Sequence, residues 1–173
     1  MATKAPSFGI QEYWEERFKR DREPYDWLQP SSVLDKAIAD ALAACEDENP
    51  QILHIGSGTS ELSFSLRGLV KAPRQIHNAD FSAEAIAWSI AREKSFFDFE
   101  WDEDFCDEAE REGFAKPESA AQLQVEMMRW TQTSLLSLES VISTCDLGSY
   151  QIVVDKTCCD AVACAGSTAV HFP

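Results

Sequence analysis

Apolar positions recur along this chain at two spacings, and the spacing changes from segment to segment. Tyr13, Trp14 and Phe18 stand among charges over 9–22, which reads as a helix. Glu23-Pro24 ends it, because the residue before a proline avoids helical geometry. Trp27 and Leu28 follow in a short connection. Leu34, Ile38, Leu42 and Cys45 then recur about every four residues, predicting a helix with one buried face. Ser32, three residues before Asp35, reads as its capping start. Glu46 to Pro50 is a polar stop.

From 51 onward the runs become short and continuous. Ile52-Leu53-His54-Ile55 predicts a buried strand that ends in the turn Gly56-Ser57-Gly58. A helix-like stretch spans 61–70, and Pro73 breaks it. A second strand is expected over 75–79, closing on Asp80, and a helix over 82–94. A third strand is expected over 125–131 and a fourth over 150–154, ending at Asp155-Lys156. Strands alternating with helices in this order predict an α/β fold, a parallel sheet with helices on both faces. The organisation read from the pattern is one domain, an N-terminal helical segment over 1–50 and a core over 51–173.

Composition narrows the class. Hydrophobic residues make up 45% of 173 residues, enough to build a core. No apolar run approaches the roughly 20 residues that cross a bilayer, and the first residues lack the apolar stretch of a signal peptide. The expectation is a cytoplasmic protein with no membrane partner. Without a secretion signal, the six cysteines read as reduced thiols packed as small hydrophobes. Cys158-Cys159 lack the spacing of a zinc site, so no metal is expected. The net charge of −15 repels phosphate backbones and excludes nucleic acid as the expected substrate, while it suits a basic protein. Residues 93–118 hold eleven acids against three bases, a net of −8. They read as an acidic insertion, a solvated surface first and a docking site for a basic substrate second.

Three chemically interesting stretches fall at the carboxyl ends of the expected strands, where parallel sheets bind ligands. They are 56–60, Asp80-Phe81 and Asp155-Lys156. A glycine turn lets a ligand approach the backbone, and the helix after it directs free N–H groups at a phosphate or carboxylate. The dinucleotide fingerprint G-x-G-x-x-G would need a small residue at 61; Glu61 stands there instead, near where a pyrophosphate would sit, and disfavours NAD and FAD. Asp80, 24 residues past Gly56, is placed to accept hydrogen bonds from ribose hydroxyls, or to cap the next helix. Carboxylate capture together with ribose capture fits S-adenosylmethionine. Gly56-Ser57-Gly58 is not G-x-S-x-G, so a serine hydrolase is excluded.

The run Ile52-Leu53-His54-Ile55-Gly56-Ser57-Gly58-Thr59-Ser60-Glu61-Leu62-Ser63 resembles the first motif of class I methyltransferases related to the dual lysine and N-terminal methyltransferase of elongation factor 1-alpha, an apolar strand followed by G-C-G-N-S-E-L-S. Ile76 to Ser82 resembles the family's second element, aspartate, an apolar residue, then serine. Asp155-Lys156-Thr157-Cys158-Cys159-Asp160-Ala161 resembles its D-K-G-T-L-D-A motif, with cysteines inside it and the spacing retained. Phe8-Gly9, Tyr13-Trp14-Glu15 and Tyr25-Asp26-Trp27 resemble its N-terminal aromatic signature.

The resemblance implies a Rossmann-like methyltransferase fold and an S-adenosylmethionine cofactor. Gly56, Ser57, Gly58 and Ser60 would surround the methionine part. Asp80 would hold the ribose and Phe81 would lie against the adenine. Ser134 and Leu135 would follow the third strand near the base, with Ser134 where the family has an aspartate; a hydroxyl still accepts a hydrogen bond. Trp27 and Tyr13 would close the pocket or pack in the core. Asp155, with Lys156 beside it, would line the floor next to the reacting sulfonium and receive the acceptor amine. The expected reaction is N-methylation of a protein, at lysine or an N-terminal amine. The alternatives are a small-molecule methyltransferase and a non-catalytic module that binds cofactor or a partner. The family continues beyond its fourth strand, so the sheet is expected to be truncated there. That would leave Ile152-Val153-Val154 as an apolar edge for a partner or a second copy to cover.

Overall fold

The computed structural model describes residues 8–98 and 126–164. Four strands, β1 (Ile52–Ile55), β2 (Ile76–Asp80), β3 (Arg129–Gln132) and β4 (Ile152–Asp155), form one sheet in the order β3-β2-β1-β4. Every pairing is parallel, with Ile52 opposite both Ile76 and Ile152, and His77 opposite Arg129. The helices are α1 (Gln11–Arg20), α2 (Asp35–Ala44), α3 (Leu62–Arg67), α4 (Ala83–Asp98), α5 (Leu138–Thr144) and α6 (Cys158–Ala163). This is the expected α/β architecture, a parallel sheet with helices on both faces.

Side chains alternate across a strand, so each strand feeds both faces. One face sends Ile52, Ile76 and Val154 into a core with Ile38 of α2, Leu62, Phe64 and Leu66 of α3, and Phe96 of α4. Leu34 and Leu42 pack against it, so the four-residue spacing does mark the inner stripe of α2. The opposite face carries a polar line from β2 across β3. His77 bonds the Tyr150 hydroxyl through Nδ1 and lies 2.6 Å from Thr131 Oγ1 through Nε2. Thr133 continues the line to Thr144 of α5 at 2.8 Å. Burial holds both His54 and His77 near pKa 4, so both imidazoles are neutral in the fold.

Several local expectations shift. Ser32 makes no cap; Ser31–Leu34 is a 3-10 turn that leads into α2. The third strand begins at Arg129 rather than 125. Its start is pinned by Glu93, whose carboxylate accepts from the Met128 N–H at 2.8 Å and from Trp130 Nε1–H at 2.6 Å. Arg67 stands 3.6 Å from the same carboxylate, and both side chains are fully buried. Burial raises the Glu93 pKa, against these three partners. Glu93 is thus a core residue of α4, which runs to Asp98, and not the first residue of an acidic insertion. The rest of that insertion, 99–118, lies outside the described residues, as does Cys106.

The cysteines divide. Cys145 is buried, whereas Cys159 and Cys164 are exposed, so packing as small hydrophobes does not hold for those two. Of the apolar triplet on β4, which forms one edge of the sheet, only Val153 is largely exposed, at 59%. Among the described residues, no helix is long and apolar enough to cross a membrane.

Candidate cofactor site

An open cleft of about 770 Å³, counting its mouth, lies over the carboxyl ends of the strands. Three walls build it. The first is the glycine turn after β1. Gly56 and Gly58 take φ of +59° and +52°, a region that disfavours any side chain with a Cβ. Space forbids one as well: a Cβ on Gly56 would lie 2.4 Å from the Cys158 Cβ, and one on Gly58 3.2 Å from the Phe18 ring. Ser57, between them, is buried, and its hydroxyl has no hydrogen-bond partner among the described residues. A buried polar atom without a partner is rare, and at a cleft it fits a group brought by a ligand.

The second wall is the end of β2. Asp80 Oδ2 accepts from the Gly58 N–H at 2.9 Å, and Oδ1 from the Ser82 N–H at 2.8 Å. One carboxylate therefore ties the glycine turn to the start of α4, and each oxygen keeps a lone pair. Burial raises the Asp80 pKa to about 6, against the lowering effect of the two N–H donors. Phe81 follows, its carbonyl held by Gln11 Nε2 at 2.8 Å and Gln132 Nε2 at 3.1 Å. Ser82 caps α4 through its hydroxyl, which accepts from the Ala85 N–H at 3.2 Å.

The third wall comes from the N-terminal segment. Trp14, Phe18, Tyr25 and Trp27 all face the cleft, with Phe8 closing the cluster. Trp14 Nε1–H donates to the Phe8 carbonyl at 2.6 Å. Glu15 fastens α1 to the start of α4: its carboxylate accepts from the Ser82 hydroxyl and from the N–H groups of Ala83 and Glu84, at 2.7–3.0 Å. Partial burial would raise its pKa, but these bonds together hold it below the usual carboxylate range.

Among the expected site residues, Gly56, Ser57, Gly58, Ser60, Asp80, Phe81, Leu135, Trp27 and Lys156 line this one cleft. Tyr13, Ser134 and Asp155 are not among its lining. Tyr13 packs edge-on against Phe8, with ring centres 5.4 Å apart, and serves the aromatic core. Ser134 is engaged in the turn before α5, where its N–H donates to Ser140 Oγ at 2.9 Å; Thr133, its neighbour, reaches the cleft instead. Asp155 caps α6, with Oδ1 accepting from the Cys158 N–H at 2.8 Å. Lys156 donates to Asp26 Oδ1 at 3.2 Å and to the Trp27 and Gln29 carbonyls at 3.4 and 3.2 Å. Three donors are all an ammonium has, so none is left for a substrate. Glu61 pairs with Arg92 and is also absent from the lining.

Trp14, Phe18 and Tyr25 went unassigned because an aromatic among charges has the same pattern whether it faces a core or a cleft. Cys158 and Thr157 sat inside a quoted motif, but nothing in their spacing says that α6 folds back onto the glycine turn. Thr157 adopts φ +70°. It occupies the glycine position of the D-K-G-T-L-D-A pattern, and glycine is the residue that backbone would favour.

No family model matches the chain. The chain is similar to a fungal methyltransferase. It is 29% identical over 167 residues to Methyltransferase srdJ of Neurospora crassa, a match covering 95% of this chain and 58% of that protein. The chain thus spans less than two thirds of its relative. The name of that relative gives methyl transfer as its reaction and no acceptor.

Proposed function

We propose that this chain holds S-adenosylmethionine in the cleft and serves N-methylation of a protein amine. The observation that carries the cofactor reading is the bond from the Gly58 N–H to Asp80 Oδ2, 2.9 Å. It brings a cradle without side chains and a buried carboxylate to one cleft. Gly56, Ser57 and Gly58 would take the amino-acid end, with the free Ser57 hydroxyl as one polar contact. Asp80 would accept from the ribose hydroxyls. Phe81 and Leu135 offer apolar surface to the base. When bound, the cofactor supplies an electrophilic methyl group on a sulfonium; the protein aligns it with an acceptor and excludes water. Such catalysis requires no nucleophile of the protein's own.

The acceptor class rests on the resemblance and on the net charge of −15, which suits a basic protein. A second reading has a specific observation behind it. Lys156 spends all three donors on structural contacts, and Asp155, held by the N–H groups of α6, is absent from the cleft lining, so neither presents a free group to an amine in the cleft. That favours a cofactor-binding part whose acceptor residues lie elsewhere, and it leaves a small-molecule acceptor and a non-catalytic binding role as competitors.

Calorimetric titration of the 173-residue protein with S-adenosylmethionine, and with NAD as control, tests the cofactor. Saturable binding of S-adenosylmethionine alone is expected. A folded sample that binds neither would overturn the reading. Transfer of labelled methyl to lysine-rich proteins, against a set of small amines, then separates the acceptor classes.

A further inference from the structure

The segment over 21–30 lies across the cleft as a strap, and one carboxylate fastens it at three points. Asp26 Oδ1 accepts from the Ser60 hydroxyl, in the turn after β1, and from the ammonium of Lys156 at 3.2 Å, at the end of β4. Asp26 Oδ2 accepts from the Ser31 N–H at 3.0 Å, where the strap rejoins the fold. The Asp26 and Lys156 side chains are only 20% and 5% exposed. Between these fastenings the backbone does something costly: Leu28 takes φ +63° while its side chain stays 63% exposed. A branched residue holds that conformation only where its surroundings impose it. Here the imposing group is again Lys156, bonded to the carbonyls of Trp27 and Gln29 on either side of Leu28. The Tyr25 N–H adds a backbone tie to the Thr59 carbonyl at 3.1 Å. Tyr25 and Trp27 face the cleft from this strap, and Ser60 and Lys156 line it.

We infer that Asp26 is a positioning residue for the cofactor: by joining Ser60, Ser31 and Lys156 it holds Tyr25 and Trp27 in the closed, ligand-ready position. The inference rests on the cofactor reading above. Asp26 touches no reacting atom; it acts through the strap. If the closed position is populated one time in ten instead of always, apparent affinity falls tenfold with no contact to the ligand removed. A merely structural role would instead lower stability and leave the affinity of the folded fraction unchanged.

The experiment uses the full chain and the variants Asp26→Asn, Lys156→Met and the pair together. Two readouts are taken: amide hydrogen exchange of residues 25–31 without ligand, and the dissociation constant for S-adenosylmethionine. Asp26→Asn keeps the shape and loses the charge. It is expected to speed exchange in the strap, leave exchange in the sheet unchanged, and weaken cofactor binding about tenfold or more. The double variant is expected to lose no more than the worse single one, because both act on one pair. Wild-type binding with an unchanged constant in Asp26→Asn would overturn the inference and spare the cofactor reading. A wild type that binds no cofactor would overturn both. Additive losses in the double variant would overturn the pairing of Asp26 with Lys156. Should Asp26→Asn fail to fold, Ser60→Ala removes one fastening, together with the bond the Ser60 oxygen accepts from the Leu62 N–H, and unchanged affinity there would count against the strap equally.

Discussion

Two strand ends beside the cleft begin alike and end differently. At the end of β2, Asp80 is buried, tied by two backbone N–H groups, and still faces the cavity. At the end of β4, Asp155 is tied by backbone N–H groups too, but those belong to α6, and its carboxylate is absent from the lining. Its neighbour Lys156 reaches the cleft with every donor occupied. A polar residue at the carboxyl end of a parallel strand is therefore a candidate only. What decides is whether the carboxylate still faces the cavity once a helix start has claimed it: Asp80 bonds the glycine turn as well as the start of α4 and does, whereas Asp155 bonds α6 alone and does not.

The sharpest way to break that contrast is at the junction of the walls. Gly56→Ala puts a Cβ 2.4 Å from the Cys158 Cβ, and at φ +59°. Backbone lies behind both partners, so the glycine turn and α6 must part. Loss of measurable cofactor binding is expected, with destabilisation of about 1–3 kcal/mol by thermal unfolding. Adding Cys158→Gly removes the collision but not the positive φ, so it should restore part of the stability. A second substitution without effect would mean that α6 does not pack there.

Asp80→Asn tests the end of β2 by charge alone. Cofactor affinity should fall at least tenfold, since the hydroxyl-accepting carboxylate becomes half an amide donor. Stability of the free protein is set by two opposing effects: the amide can accept from only one of the two backbone N–H groups, while the charge that burial disfavours is gone. The folded pKa of about 6 lies above the ordinary carboxylate value of 3.8, so ionisation at neutral pH weighs against the fold. By the same sign, the free protein gains stability from this group as pH drops through 6 toward 3.8. Cofactor affinity moves the opposite way and falls below about pH 6, where the carboxylate takes up a proton. Calorimetry at pH 5, 6 and 7 reads this, and a flat profile would remove Asp80 from the ribose.

Asp155→Ala probes the end of β4 and should do the reverse. Losing a helix cap costs about 1 kcal/mol, visible in the thermal midpoint, while cofactor affinity changes less than threefold, roughly the spread of context for one contact. A larger loss of affinity than Asp80→Asn would restore Asp155 to the site.

The contrast also explains what was readable in advance. Gly56, Gly58 and Asp80 were legible because their roles are local: a turn needs glycine, and a strand end within reach of that turn needs an acceptor. The parallel order followed from alternating short apolar runs and helical stripes. The roles of Asp155 and Lys156 were not legible, since they depend on α6 and on a strap more than a hundred residues away in sequence. Glu93 misled for a related reason. It stands at the edge of an acidic run, and only the fold brings Arg67, Met128 and Trp130 to it. Composition counts charges; it does not show which of them the core takes in.

The smallest effects belong to the two side chains with positive φ that flank the Lys156 latch. Thr157, next to it in sequence, has φ +70°, and Leu28, on the strap, has φ +63°. The left-handed region costs an L-residue about 1–2 kcal/mol, and more when the side chain is branched at Cβ, as in threonine. Glycine removes that cost but loses about 0.5–1 kcal/mol through the freedom of the unfolded chain. Thr157→Gly should therefore raise the thermal midpoint by about 2–4 °C, and Leu28→Gly by less. Leu28 gives up no packing, being 63% exposed. Leu28 neither lines the cleft nor bonds Asp26, so cofactor affinity should stay level in Leu28→Gly; Thr157 does line it, and there the expected outcome is the gain in stability. A Leu28→Gly protein that gains stability yet loses affinity would mean that the strained turn itself, and not its fastenings, sets the closed position of Trp27.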